Sequence, residues 1–162
     1  MKGYGLMKAG KTEAGIAELS EALAWLDKAH LGYFRAFYAL WLAEGCLRGG
    51  ARARARAIVE EVLTTSGGEV SIRVEGIAER LLGEASDDPA AAAAHLDAAA
   101  RIFERMGARN ELAKVQVARA ERRRDAGDRE GARQLLEQAQ AVFEALGTLD
   151  EPARVREVLA GL

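Results

Sequence analysis

Residues 127–139, Gly127-Asp-Arg-Glu-Gly-Ala-Arg-Gln-Leu-Leu-Glu-Gln-Ala139, decide the fold. Gly127 is followed by Ala132, then by Leu136 four residues on and Ala139 three further. Steps of four and three keep side chains on one face of a helix, and the glycine at the head fits the turn that feeds it. The same skeleton recurs as Gly50, Ala55, Val59 and Val62, and as Gly10, Gly15, Leu19 and Ala22. A weaker copy is Asp87, Ala92, Leu96 and Ala99, with aspartate in the turn slot. The second anchors, Gly15, Ala55, Ala92 and Ala132, are 40, 37 and 40 residues apart. Such a period marks a helical array, in which each unit buries its apolar stripe against its neighbours. The predicted fold class is all-α.

Working outward, helical periodicity fills the chain. A short helix is predicted over 2–9, followed by 12–28 with Ile16, Leu19, Leu23 and Leu26 inward, and a turn around His30 and Gly32. The 33–48 helix carries Phe34, Phe37, Tyr38, Trp41 and Leu42, an apolar arc too wide to bury against one partner. Residues 51–64 present Ile58, Val59, Val62 and Leu63, and Thr64–Gly68 reads as a loop. Val70, Ile72 and Val74 alternate like a strand. Ile77, Leu81 and Leu82 continue at helical spacing, so a helix over 70–85 is predicted with Ile72 inward. Asp88-Pro89 starts the next helix as N-cap and first helical residue, and Gly107 closes it. Helices over 110–125 and 129–146 follow, and a short one begins near Asp150-Glu-Pro152.

Composition narrows the function. Lys+Arg 23 against Asp+Glu 25 gives a net charge of −2, which provides no basic field for nucleic acid. Cys46 is the one cysteine, so an internal disulfide and a multi-cysteine zinc site are excluded. No apolar run reaches membrane-spanning length and no signal-peptide core opens the chain, so a cytoplasmic location is expected.

Few residues point to chemistry. Gly5-Leu-Met-Lys-Ala-Gly10-Lys11-Thr12 matches the phosphate-loop pattern, but that loop needs a buried strand before it. Four residues precede Gly5, and Leu6-Met7-Lys8-Ala9 favours helix. His30 and His95 each lack a second ligand at helical spacing. Arg48, Arg52, Arg54 and Arg56, and again Arg119, Arg122, Arg123 and Arg124, cluster beside Glu60, Glu61, Glu121 and Asp125. Solvated ion pairs explain them better than nucleic-acid contacts do. No cofactor, metal site or catalytic activity is expected.

The Gly-x4-Ala-x3-apolar-x2-Ala skeleton resembles the second half of a tetratricopeptide repeat. The family's Leu-Gly/Ala pair, seven or eight residues before the glycine, is matched by Leu42-Ala43; in the third copy Glu79 and Arg80 stand there instead. Gly10–Leu19, Trp41–Leu47 and Ala113–Gly127 also resemble the C-terminal repeat region of large bacterial multidomain proteins. Those join a nucleotide cyclase or a DNA-binding regulatory domain to an ATPase module. The resemblance implies a right-handed superhelix of antiparallel pairs. It would be one domain over 1–162, with about three and a half pairs and a capping helix. The implied role is a non-catalytic scaffold for protein interactions, or the regulatory tail of a longer signalling protein.

In tetratricopeptide arrays the first helix of each pair lines the concave groove. That likeness points Phe37, Leu40, Glu44 and Arg48 into the groove on the Gly50 copy, and Lys114, Val117, Glu121 and Arg124 on the Gly127 copy. The family's carboxylate clamp needs asparagines there, and Asn110 is the only one. The expected ligand is an amphipathic helix or extended segment with an apolar anchor near Phe37 and Leu40. It would come from another protein, a second copy, or an upstream region of a longer chain.

Overall fold

The computed structural model describes residues 2–65, 71–148 and 151–162, with every side chain among them except those of residues 32 and 33. Among the described residues there are nine α-helices and no strand. They are α1 (Lys2–Lys8), α2 (Thr12–Lys28), α3 (Gly32–Arg48), α4 (Arg52–Thr65), α5 (Ile72–Ala85), α6 (Pro89–Arg105), α7 (Arg109–Asp125), α8 (Arg129–Ala145) and α9 (Glu151–Ala160). The alternation at Val70, Ile72 and Val74 leads into a helix rather than a strand, though residue 70 lies outside the described residues. So do residues 66–68 of the expected loop and Asp150 of the expected helix start. Thr64 and Thr65 finish α4.

One turn punctuates the helices. Gly10, His30 and Gly50, then Gly107, Gly127 and Gly147, all have positive φ and recur every 20 residues. At each, the following residue donates its N–H to a carbonyl five positions back, as Lys11 does to Leu6 and Asp128 to Arg123, both at 2.9 Å. This is the left-handed closure that glycine permits without a Cβ clash. It satisfies orphan carbonyls, and after Gly10, His30, Gly50, Gly107 and Gly127 the next helix restarts after three residues, so α2, α3, α7 and α8, each bounded by two such turns, are 17 residues long.

The 37-residue step in the sequence has its cause in α5, which is 14 residues long. Its C-cap, Ser86, is extended (φ −69°, ψ 135°). Without a left-handed turn, its last carbonyls need another donor. Arg122 of α7 provides one, bonding from Nη2 to the carbonyls of Gly83 at 2.8 Å and Glu84 at 2.6 Å. Asp88 then caps α6 by accepting from Ala90 N–H at 3.0 Å, with Pro89 in the first turn.

Each helix packs on the next, most extensively in α5–α6 and α7–α8, while α1–α2, α2–α3 and α3–α4 pack about equally. The repeat skeleton lies in these seams. Ala55, Val59, Val62, Ala92, Leu96, Ala99, Ala132, Leu136 and Ala139 are buried. Burying each large apolar side chain there contributes roughly 1.5–3 kcal/mol before entropy is counted. Ile72 departs from expectation: it is exposed, because it is the first helical residue after Ser71 and precedes the packed stretch that begins at Val74. The wide apolar arc of 33–48 divides, with Phe34 exposed and Trp41 stacked on Tyr4 at 5.1 Å between ring centroids. Among the described residues, no helix is long and apolar enough to cross a membrane.

Candidate functional site at the inner face of the odd helices

The odd-numbered helices also touch one another, α1 with α3, α3 with α5 and α5 with α7. Beside the Tyr4–Trp41 stack, their shared side carries a cluster of charged side chains. Glu44 of α3 is buried; its Oε1 accepts from Arg48 Nη2 at 2.9 Å, and its Oε2 from Arg80 Nη2 of α5 at 3.5 Å. Arg80 is 2 % exposed and also pairs with Glu84. On α7, Lys114 meets Glu111 at 3.4 Å, and Glu121 meets Arg154 of α9 at 3.4 Å. Lys8 of α1 pairs with the buried Glu151 of α9, so the first and last helices meet. Lys8 Nζ also stands 5.3 Å from the ring centroid of Tyr4.

These helices wall a cavity of about 740 Å³, lined among others by Lys8, Glu44, Arg48, Glu84, Glu121, Glu151, Arg154 and Glu157. Burial in this low-dielectric space pushes the Glu44 carboxyl up, but Arg80, Lys114, Arg48 and Lys8 outweigh it and hold the pKa at about 2. Burial works against the charges of Arg80 and Arg154 as well. Glu84 and Glu44 overcome it for Arg80, and Glu84, Glu121, Glu151 and Glu44 for Arg154. Glu121 is the exception, since burial raises its pKa, aided by Glu84, and Arg154 only partly offsets this. The same two arginines that bond Glu44, Arg48 and Arg80, each leave a buried Nε–H without a partner among the described residues. Such donors are costly, at about 1–3 kcal/mol each.

Of the residues expected in a groove, Glu44, Arg48 and Glu121 line this cavity. Lys114 is outside the lining but near enough to Glu44 to help keep its carboxyl ionised. Leu40 and Val117 are buried in two separate core clusters and do not line the cavity. Phe37 is partly buried against the core, and Arg124 pairs with Asp125 at 2.8 Å. Lys8, Arg80, Glu84, Glu151 and Arg154 were not singled out from the sequence. One signal for Arg80 was present: it occupies a small-residue position of the repeat, where a side chain must turn inward.

A second cavity, about 710 Å³, lies beside the α5–α6 turn, with Leu96 and Leu135 among apolar walls and a charged rim. Its arginines are engaged: Arg52 with Asp87 at 3.3 Å, Arg119 with Asp97 at 2.5 Å, and Arg123 with Asp128 at 3.3 Å. Elsewhere, Gly5–Lys8 belongs to α1 and Gly10 to the turn after it, so the Gly5–Thr12 pattern lies on helix and turn. His95 Nδ1 is 2.7 Å from Glu79, and among the described residues no group of three or more His, Cys, Asp or Glu is placed to hold a metal ion. Cys46 is buried, and burial pushes its thiol pKa up.

No family model matches the chain, and neither a curated protein nor a solved structure does.

Proposed function

We propose that the chain is a non-catalytic protein-interaction module that binds a peptide segment at the inner face of its odd helices. The observation that carries this reading is the walled cavity of about 740 Å³ to which α1, α3, α5, α7 and α9 all contribute. A pocket of that size has room for a few residues or a side-chain cluster, and is narrower than a docking groove for a whole helix. Glu44, Arg48 and Glu121 form its contact surface, with Lys114 close enough to act on Glu44. The regular 20-residue spacing of the turns and the contacts between alternate helices support a tetratricopeptide-like superhelical arrangement across 1–162. The occupant comes from another protein or from a longer chain that carries this module as a regulatory region.

Isothermal titration of the purified chain against a panel of basic, acidic and neutral peptides of about five residues tests the reading. Saturable binding that Glu44→Gln or Arg48→Met weakens is expected. Failure of every peptide class to bind would overturn it.

A further inference from the structure

We propose that the carboxylates around Arg154 form a recognition site for an arginine side chain of a partner segment, and that α9 fills this site from within as an autoinhibitory element. This rests on reading the chain as a binding module and adds the chemistry of its partner.

The way α9 is held points to this. Its main packing contact is with α8. Toward the rest of the inner face it reaches by two side-chain pairs, Lys8 with Glu151 and Arg154 with Glu121. Its buried apolar residues are Pro152 and Val155, the latter in one cluster with Ala132, Leu136 and Phe143, and Val158 and Leu159 pack against that cluster. A helix packed chiefly on one neighbour opens at lower cost than the helices packed on both sides.

What α9 places in the cavity is a guanidinium. Arg154 lies in the field of Glu44, Glu84, Glu121 and Glu151, which come from α3, α5, α7 and α9. Its bond to Glu121, at 3.4 Å, is longer than the roughly 2.7–2.9 Å of a strong charge-assisted pair. Glu44 and Glu84 also pair with Arg80, and Glu151 with Lys8, so Glu121 is the carboxylate that Arg154 itself bonds and the seat is centred on it. Space continues beside it into the cavity, whose wall also carries Glu157. Arginine fits better than lysine, because its planar fork answers several carboxylates at once. An acidic segment would bring like charge against Glu84 and Glu121.

The test is fluorescence anisotropy with a labelled peptide of alternating arginine and alanine, against versions carrying lysine or glutamate for arginine. The full-length wild type is compared with Arg154→Ala, and Glu121→Gln is added to each. Vacating the seat should tighten arginine-peptide binding at least about tenfold, since the competent state no longer competes with α9. Adding Glu121→Gln should remove most of that gain. If circular dichroism shows Arg154→Ala unfolded, Arg154→Met, which keeps the apolar stem, takes its place. Methylguanidinium should also raise the melting temperature of the Arg154 variant more than methylammonium does. Equal arginine-peptide affinity for the wild type and the vacated variant would overturn the proposal, as would glutamate-peptide binding of equal strength. Binding of only neutral or acidic peptides would sink this inference and leave the binding module standing, whereas binding of no peptide would sink both.

Discussion

Lys8 in the first helix and Glu151 in the last form an ion pair across 143 residues of sequence. Glu151 is 3 % exposed, and its partner is brought to it by tertiary structure. Removing one member of a buried pair leaves the other unpaired, at about 3–5 kcal/mol, whereas replacing both with apolar groups is often neutral. Lys8→Met should lower the melting temperature and speed amide exchange in α9 more than elsewhere. Lys8→Met combined with Glu151→Met should recover much of the loss. A double variant as unstable as Lys8→Met alone would mean that the pair does not hold the ends together.

Glu44 sets an acid limit on stability. Its folded pKa, about 2, lies below the ordinary 4.5. The stabilisation is therefore full above pH 4.5 and fades as pH falls through the folded value. At neutral pH it amounts to about 3 kcal/mol. Urea melts of Glu44→Gln should show lower stability at pH 7, with the difference from wild type shrinking toward pH 3. A constant difference across that window would assign the loss to packing instead.

Glu121 should behave oppositely. Its raised folded pKa means that the fold favours the protonated form, so its contribution is greatest below pH 4.5 and is lost as pH rises through the folded value. Glu121→Gln should leave the melting temperature at pH 7 equal to or above that of wild type. A clear drop would show that the Arg154 pair outweighs the cost of burial.

Gly15 and Ala132 occupy the same repeat position, yet they should differ in what they tolerate. A Cβ on Gly15 would meet the carbonyl oxygen of Gly3 at 2.7 Å and the Met7 side chain. Gly15→Ala should therefore cost about 1–3 kcal/mol, as overpacking does. Ala132 is 0 % exposed and already accommodates a Cβ, so Ala132→Leu is needed there for a comparable loss. Thermal melts of both, with the exposed Ala141→Leu as control, give the comparison. An unaffected Gly15→Ala would mean that α1 and α2 sit less closely than 2.7 Å implies.

His30 fills a turn slot that glycine fills at the five other positive-φ positions, and its φ is 54°. A side chain in the left-handed region costs on the order of 1 kcal/mol. His30→Gly should raise stability by about that amount in denaturant melts. A decrease would show that the imidazole contributes a contact worth more than the strain.

Helices, turns and seams were legible in the sequence because each depends on neighbours in the chain. Steps of three and four residues set the buried stripe, as at Ala132, Leu136 and Ala139, and glycine at a fixed interval sets the turn. Even the irregular 37-residue step was visible, with Asp87 in place of glycine. The inner face was only half legible: the likeness to tetratricopeptide arrays pointed to Glu44, Arg48 and Glu121, which line the cavity, and also to Leu40 and Val117, which are buried in the core. Lys8, Glu84, Glu151 and Arg154 carry no local pattern that marks them as cavity residues. Their burial depends on where α1 and α9 end up after the intervening helices have stacked, which is a sum of small angles that no local spacing encodes. Arg122 illustrates the same limit. It reads as one member of a solvated arginine cluster, and only tertiary structure brings it to the uncapped carbonyls of Gly83 and Glu84. Sequence by itself determined which faces are apolar, because burial of a stripe is a local property of the helix. Tertiary structure decided which charges face one another, because Coulomb interactions and desolvation depend on distance in space.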